Sequence, residues 1–323
     1  MKRLHLLALG PALLLAACGD SKLSSGDEPA NTGTGLVLTS VNAQSAVVIA
    51  FNAAMDSADL ADVGGAIGVT ATAPGSSSKA TPRKQLSGFL VSALQQVPFG
   101  PDVFPCDVSG SITMSGDLAD PFTLTAGDTF NIDAAACDDG LGEVLDGVMS
   151  MTVTEFTGDL FLQAYLLGMN ASLNGLQVTT ATDVVSSTGD TSVVLDTTAT
   201  PFVSAIVSGA SMMTSSNSDS ETLSNYRTEQ TVDAGQQGIP YTLTSSGTVD
   251  SSLLSDTVRY TTPVQFTGFD VDFPSTGELL VSGNNSSVRL VALDNVNVRI
   301  DLDNDGNGTV DESIQTTWLA LAN

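Results

Sequence analysis

The chain has 323 residues, with 36 acidic against 10 basic side chains and a formal net charge of −26 at pH 7. A surface this acidic repels nucleic acid and anionic lipid head groups and attracts cations. The one histidine is His5, so the rest of the chain has no imidazole for a Ser-His-Asp or Cys-His arrangement, and none to bind zinc or iron.

Residues 1–17 read as a signal peptide. Lys2 and Arg3 make a basic start and residues 4–15 an apolar run, which is too short to span a hydrocarbon core of roughly 30 Å. The run closes on Leu15-Ala16-Ala17-Cys18, which resembles the lipobox of bacterial lipoprotein precursors. That resemblance implies cleavage before Cys18, a diacylglyceryl group on its thiol and acylation of the freed amine. Two or more acyl chains give stable membrane anchoring. In Gram-negative lipoproteins an Asp directly after the cysteine favours the inner membrane; here Gly19 holds that place and Asp20 comes one later. The expected location is therefore the outer membrane, facing the periplasm or the cell surface. Residues 18–35 are nearly devoid of apolar side chains and should form a flexible tether with a reach of roughly 20 to 25 Å.

Residues 36–323 are expected to form a single β-rich domain with helices at its start (36–100) and antiparallel strands after them (101–323). The apolar fraction is rich in Val, Leu and Ala and the polar fraction in Ser, Thr, Gly and Asp, a mixture that favours β structure over helix. Residues 36–55 read as a helix, with Ser40 as its cap and Val41, Val48, Phe51 and Met55 near helical spacing. Asp56, Asp59 and Asp62 follow at intervals of three, as a solvated helix end would place them. Thr81-Pro82 opens a second helix, which has Leu86, Phe89, Leu90, Leu94 and Val97 along one stripe and Pro98 as its stop.

Beyond residue 101 the pattern changes to short alternating runs divided by Gly, Asp, Asn and Pro. Strands are expected at 111–116, 122–126, 129–135, 144–153, 177–181, 192–195, 202–207, 241–249, 257–260, 279–282 and 287–293, while 160–167 fits either a buried strand or a short helix. Such spacing predicts a mainly β (α+β) fold: a long antiparallel meander, curled or an open barrel, packed on the N-terminal helical pair. Periplasmic lipoprotein carriers and receptors, with an unclosed barrel and a helical lid, look similar at this coarse level, an analogy of architecture that no motif carries. Ser-Gly pairs recur at Gly88, Gly110, Gly116, Gly209, Gly247 and Gly283 without a fixed period, so no solenoid or propeller is predicted. Cys106 and Cys137 are the only cysteines after Cys18, an even pair in an exported chain and hence an expected disulfide.

The segment Asp301-Leu-Asp303-Asn-Asp305-Gly306-Asn307-Gly308-Thr309-Val-Asp311-Glu312 resembles the EF-hand calcium loop. Carried over by position, Asp301, Asp303 and Asp305 supply side-chain oxygens and Gly306 makes the turn. Asn307 then offers its carbonyl, Thr309 acts directly or through water, and Glu312 closes the site with both oxygens. Gly308 departs from the family, which places an aliphatic residue there. Val296, Val298 and Ile300 alternate before the loop, and Ile314, Thr316 and Trp318 after it, so the loop should join a β-hairpin, where Asp311 could replace Glu312. A metal-free turn would also use Asp, Asn and Gly. Three acids at alternate positions repel one another without a cation, and Ca2+ in a structural role is the favoured reading. The strand, Asp-rich loop and final strand with Thr316-Thr317-Trp318 also resemble the ending of β-rich proteobacterial lipoproteins, a family without an assigned activity.

These readings point to a non-enzymatic lipoprotein held at the membrane through Cys18, with a binding or envelope-structural role. One alternative is a carrier of an apolar ligand or lipid held between the stripe of Phe89 and Leu94 and the sheet. Another is a glycan-active enzyme using two carboxylates, for which the single Trp and four Tyr offer no clustered platform. Between Lys84 and Arg227 the chain has 17 carboxylates and no basic residue, so those acids depend on solvent or cations.

Overall fold

Alternation with a period of two runs through most of the chain after residue 101, and it folds as fourteen antiparallel strands in one sheet, each paired with the next in sequence. The computed structural model describes residues 35–59 and 101–321, apart from 121–122, 141, 160–161, 163, 218, 236–237 and 270–271. All of these fall within one compact unit, Asn31–Asn323. A single helix, α1 (Ala43–Asp59), precedes the sheet in the described residues. The first strands are β1 (Asp102–Pro105), β2 (Ser109–Asp117), β3 (Thr129–Asp138), β4 (Glu143–Asp159) and β5 (Ala164–Thr180). The centre holds β6 (Val184–Asp196), β7 (Phe202–Ser216), β8 (Asp219–Asp233) and β9 (Pro240–Ser251). Then come β10 (Val258–Phe269), β11 (Thr276–Ser282), β12 (Ser287–Ala292), β13 (Asn297–Asp303) and β14 (Glu312–Thr317), followed by one helical turn, α2 (Trp318–Leu321). Strand order equals chain order, and the sheet does not close: β1 pairs with β2 alone and β14 with β13 alone.

One face of the sheet, here called inner, carries the buried side chains, and α1 packs on it over β8 to β12. Ala46, Ala50, Ala53 and Ala54 are fully buried on the helix, and their small side chains allow its backbone to lie close to the strands. At its C-terminal end Ser57 Oγ meets Thr228 Oγ1 at 2.6 Å, and Thr228 Oγ1 meets Ser245 Oγ at 2.7 Å, so these buried hydroxyls satisfy one another. Phe51 faces Phe266 edge-on at 5.6 Å and lies 4.8 Å from Trp318, which stacks on Phe273 at 5.7 Å. Trp318 Nε1 donates to the carbonyls of Pro274 and Asp294, each at 3.1 Å. Between Phe51, Phe273 and Trp318 and the side chains of Val47, Val48 and Leu321 a space of about 10 Å3 remains, room for about one water.

The helix starts later than the sequence predicts. Residues 36–38 are extended instead: Leu36 and Leu38 are buried and Val37 is exposed. The Leu36 N–H donates to the Thr257 carbonyl, its carbonyl accepts the Asn284 N–H, and the Leu38 N–H donates to Ser286 Oγ. Asn42, not Ser40, turns the chain, its side chain accepting the Thr39 N–H and donating to the Val37 carbonyl. Val41, expected on the buried stripe, is 91% exposed. The second predicted helix, the tether up to residue 34 and Cys18 lie outside the described residues.

Two strand expectations also change. Residues 123–125 are not in a strand and 126–127 form a turn, where the Asp128 carboxylate accepts the N–H groups of Ala119 and Thr125 and draws the segment back on itself. Strand β8, not expected from the sequence, lies at the middle of the sheet, with Thr228 and Gln230 among its buried residues. Polar side chains on the inward face erase the hydropathy alternation that would have marked it.

Cys106 and Cys137 form the expected disulfide, with Cα atoms 5.5 Å apart, and it ties the β1–β2 turn to β3 across β2. Gly110 makes this approach feasible. Its φ is +78°, and a Cβ there would overlap the carbonyl oxygens of Ala135 and Ala136.

Candidate metal-binding loop

Strands β13 and β14 pair from Asn297↔Thr317 to Leu302↔Glu312, and the Asp-rich segment closes this hairpin. Asp303 ends β13 and is 8% exposed. Its carboxylate organises the loop: Oδ1 accepts the N–H groups of Gly306 (2.8 Å) and Asn307 (3.2 Å), and Oδ2 accepts that of Gly308 (2.8 Å). Asp305 receives the Asn307 N–H on Oδ1 and the Asn307 Nδ2 on Oδ2. Asp311 Oδ2 accepts the Asn304 N–H at 2.9 Å, which pulls the far end of the loop back to its beginning. Gly306 has φ +70°, and a Cβ there would come within 3.0 Å of the Asn285 backbone, so the loop lies against the β11–β12 turn.

The result brings three carboxylates together. Asp303, Asp305 and Asp311 each offer an oxygen, and these oxygens lie within 4.8 Å of one another. Calcium binds oxygen at about 2.3 to 2.6 Å, so two ligands of one ion are separated by no more than about 5 Å. The three oxygens are close enough for a single metal ion to bridge them.

The sequence-predicted ligands divide between two settings. Asp303 and Asp305 belong to the gathered group, and Asp311 is the acid that completes it. Asp301 is engaged elsewhere: Arg299 Nε donates to both of its oxygens at 2.9 Å, Arg299 Nη2 lies 2.8 Å away, and Ser313 Oγ donates at 2.7 Å. The hydrogen bond to Asp301, and then its charge, hold the Arg299 guanidinium above its ordinary pKa. Asn307 Oδ1 accepts the Thr309 N–H and hydroxyl, and both residues are exposed. Glu312 is exposed at the start of β14, outside the group. Arg299 was not among the expected site residues. Its signal was present in the sequence, since residues two apart on a strand share a face.

The chain matches no protein-family model, no curated protein and no solved structure. The reading of the loop therefore rests on its own geometry.

Proposed function

We propose that this protein is a non-enzymatic lipoprotein anchored in the outer membrane through Cys18, that its sheet serves binding or envelope structure, and that a structural calcium ion closes its last hairpin. The observation that supports the calcium part of this reading is the convergence of Asp303, Asp305 and Asp311 at the closed end of β13–β14. Like charges held this close are destabilising unless a cation joins them. An exported protein meets calcium at concentrations where even the weaker, extracellular type of site, with a dissociation constant of about 0.1 to 1 mM, is substantially filled. The anchor reading is supported by Leu15-Ala16-Ala17-Cys18 ahead of a polar stretch. The non-enzymatic reading is supported by the lack of any histidine after His5.

The test is metabolic labelling with radiolabelled palmitate in a Gram-negative host, followed by membrane fractionation. The expected result is label in the wild-type protein and none in Cys18→Ala, with the wild type in the outer-membrane fraction. An unlabelled wild type, or equal label in Cys18→Ala, would end the anchor reading.

A further inference from the structure

The outer face of the sheet, opposite α1, carries a groove of about 630 Å3 that runs across β4 to β8, within the range of about 300 to 1,000 Å3 typical of small-molecule sites. Two successive rungs of cross-strand neighbours build its floor. Thr152 opposes Asn170, Asn170 opposes Ser192 and Ser192 opposes Ser208; in the next rung Ser150 opposes Ser172 and Ser172 opposes Asp190. One wall forms where bulges in neighbouring strands coincide. Strand β7 sets Gly209 and Ala210 against the single residue Thr191, and β8 sets Asn225 and Tyr226 against the single residue Gly247. Coincident bulges bend both strands at one level, and Ala210 and Asn225 are exposed there.

Elsewhere on the sheet, hydroxyls in facing positions satisfy one another: Ser186 with Ser215 at 2.8 Å, and Thr267 with Thr276 at 2.6 Å. In the groove they do not. Among the described residues no hydrogen bond engages the side chains of Asn170, Ser172, Asp190, Ser192 or Asn225. These groups offer donors and acceptors side by side at the roughly 4.7 to 4.9 Å spacing of adjacent strands. The lining has one carboxylate, Asp190, and no Lys or Arg, so an anionic ligand has no counter-charge there. Four of its five exposed side chains, Thr152, Asn170, Asp190 and Asn225, are polar, and Ala210 is the fifth.

We infer that this groove binds a neutral saccharide chain, whose vicinal hydroxyls both donate and accept and so match a row of Ser, Asn and Asp side chains. Asp190 accepts from two adjacent sugar hydroxyls, and Asn170 and Asn225 each donate and accept on either side of it. The site binds and does not cleave, because sugar hydrolysis of the usual kind needs two carboxyl groups and the lining holds one. With no exposed aromatic platform the affinity is low, in the millimolar range for a short oligosaccharide. The inference rests on the groove alone, so loss of the palmitate or calcium results would leave it untouched.

The experiment is saturation-transfer NMR and titration calorimetry on the purified full-length chain. The probes are neutral trisaccharides built on glucose, galactose and N-acetylglucosamine, with a trisaccharide of uronic acids as the charge control. We expect at least one neutral trisaccharide to bind and the uronate to bind more weakly. Asn170→Ala with Asp190→Ala should weaken binding by about tenfold or more at an unchanged unfolding midpoint, and Thr222→Ala, outside the groove, should leave it unchanged. Ser172→Val with Ser192→Val is a second variant, which keeps strand propensity while removing two hydroxyls, and should weaken binding likewise. The inference is overturned if no neutral trisaccharide binds, if the uronate binds as tightly as the neutral sugars, or if binding survives in both groove variants.

Discussion

Tyr226 on β8 lies across Gly209 on β7, and a Cβ at Gly209 would overlap the Tyr226 ring and hydroxyl. The arrangement repeats. The Tyr241 ring lies over Gly268 and the Tyr260 ring over Gly247 in the same way, while Tyr165 opposes Gly158 in register with its backbone, not its ring, nearest to that glycine. An aromatic ring laid over a glycine covers backbone that would otherwise be bare, and it helps to pin the register of the two strands. Gly209→Ala should therefore lower stability by about 1 to 3 kcal/mol. Pairing it with Tyr226→Leu should cost less than the sum of the two single changes. Denaturant titrations of the three variants measure this, and strict additivity would mean that the ring and the glycine are not coupled.

Alkali should unfold the protein through the same tyrosines. Burial pushes the Tyr165 and Tyr260 hydroxyls up to about 12 from their ordinary 10. In the unfolded chain these phenols ionise near pH 10, while the folded chain holds their protons to about pH 12. The unfolded state thus binds fewer protons in that window, and stability falls as pH rises through it. Stability from this source is intact below pH 10. The check is tyrosinate absorbance followed together with circular dichroism from pH 9 upward: the two should change together for the buried phenols, and phenols titrating near pH 10 in a still-folded sheet would contradict the assignment.

The Cys106–Cys137 bridge closes a loop with a sequence separation of 31, for which the chain-entropy relation gives roughly 3 to 4 kcal/mol. Cys106→Ser with Cys137→Ser should lower the denaturant midpoint accordingly, and wild type under reducing conditions should follow the double variant. A variant as stable as the oxidised wild type would show that the bridge constrains little.

The only Trp in the chain is Trp318, just after β14, and it is 1% exposed among Phe51, Phe266 and Phe273. Its fluorescence therefore reports whether the end of the chain is docked on α1. Trp318→Phe should retain the docking at a cost, and Trp318→Ala should lose about 3 to 5 kcal/mol. Equal stability of wild type and Trp318→Ala would mean that the C-terminal turn contributes nothing to the core.

Much of the architecture was legible because most strands alternate apolar with polar residues, and the antiparallel meander and the disulfide follow from that texture and from the cysteine count. Strand β8 was not legible, since its inward positions include Thr228 and Gln230. The segment Leu36-Val37-Leu38 was misread because its partners, Thr257 and residues 284–286, lie more than 200 residues away in sequence. The Ser-Gly pairs showed no period because their roles differ. Gly110 sits at a bulge, Gly209 and Gly247 make room for tyrosine rings, and Gly283 lies against the Leu36 carbonyl. At the loop, the alternate acids were visible, but the capture of Asp301 by Arg299 depends on a strand geometry that a motif does not encode.

Thermal unfolding in calcium and in chelator shows whether calcium closes the β13–β14 hairpin. Asp303 is a poor residue to change for this purpose, because it also accepts three backbone N–H groups and its loss would loosen the loop with or without metal. Asp305 and Asp311 are exposed, and Asp305→Asn with Asp311→Asn removes two charges at nearly constant shape. Calcium at a hundredfold excess over its dissociation constant stabilises a folded protein by about 2.7 kcal/mol. We expect a higher midpoint for the wild type in calcium than in chelator, and no such difference in the double variant. Identical wild-type midpoints in the two conditions, or a calcium shift of full size in the double variant, would contradict it.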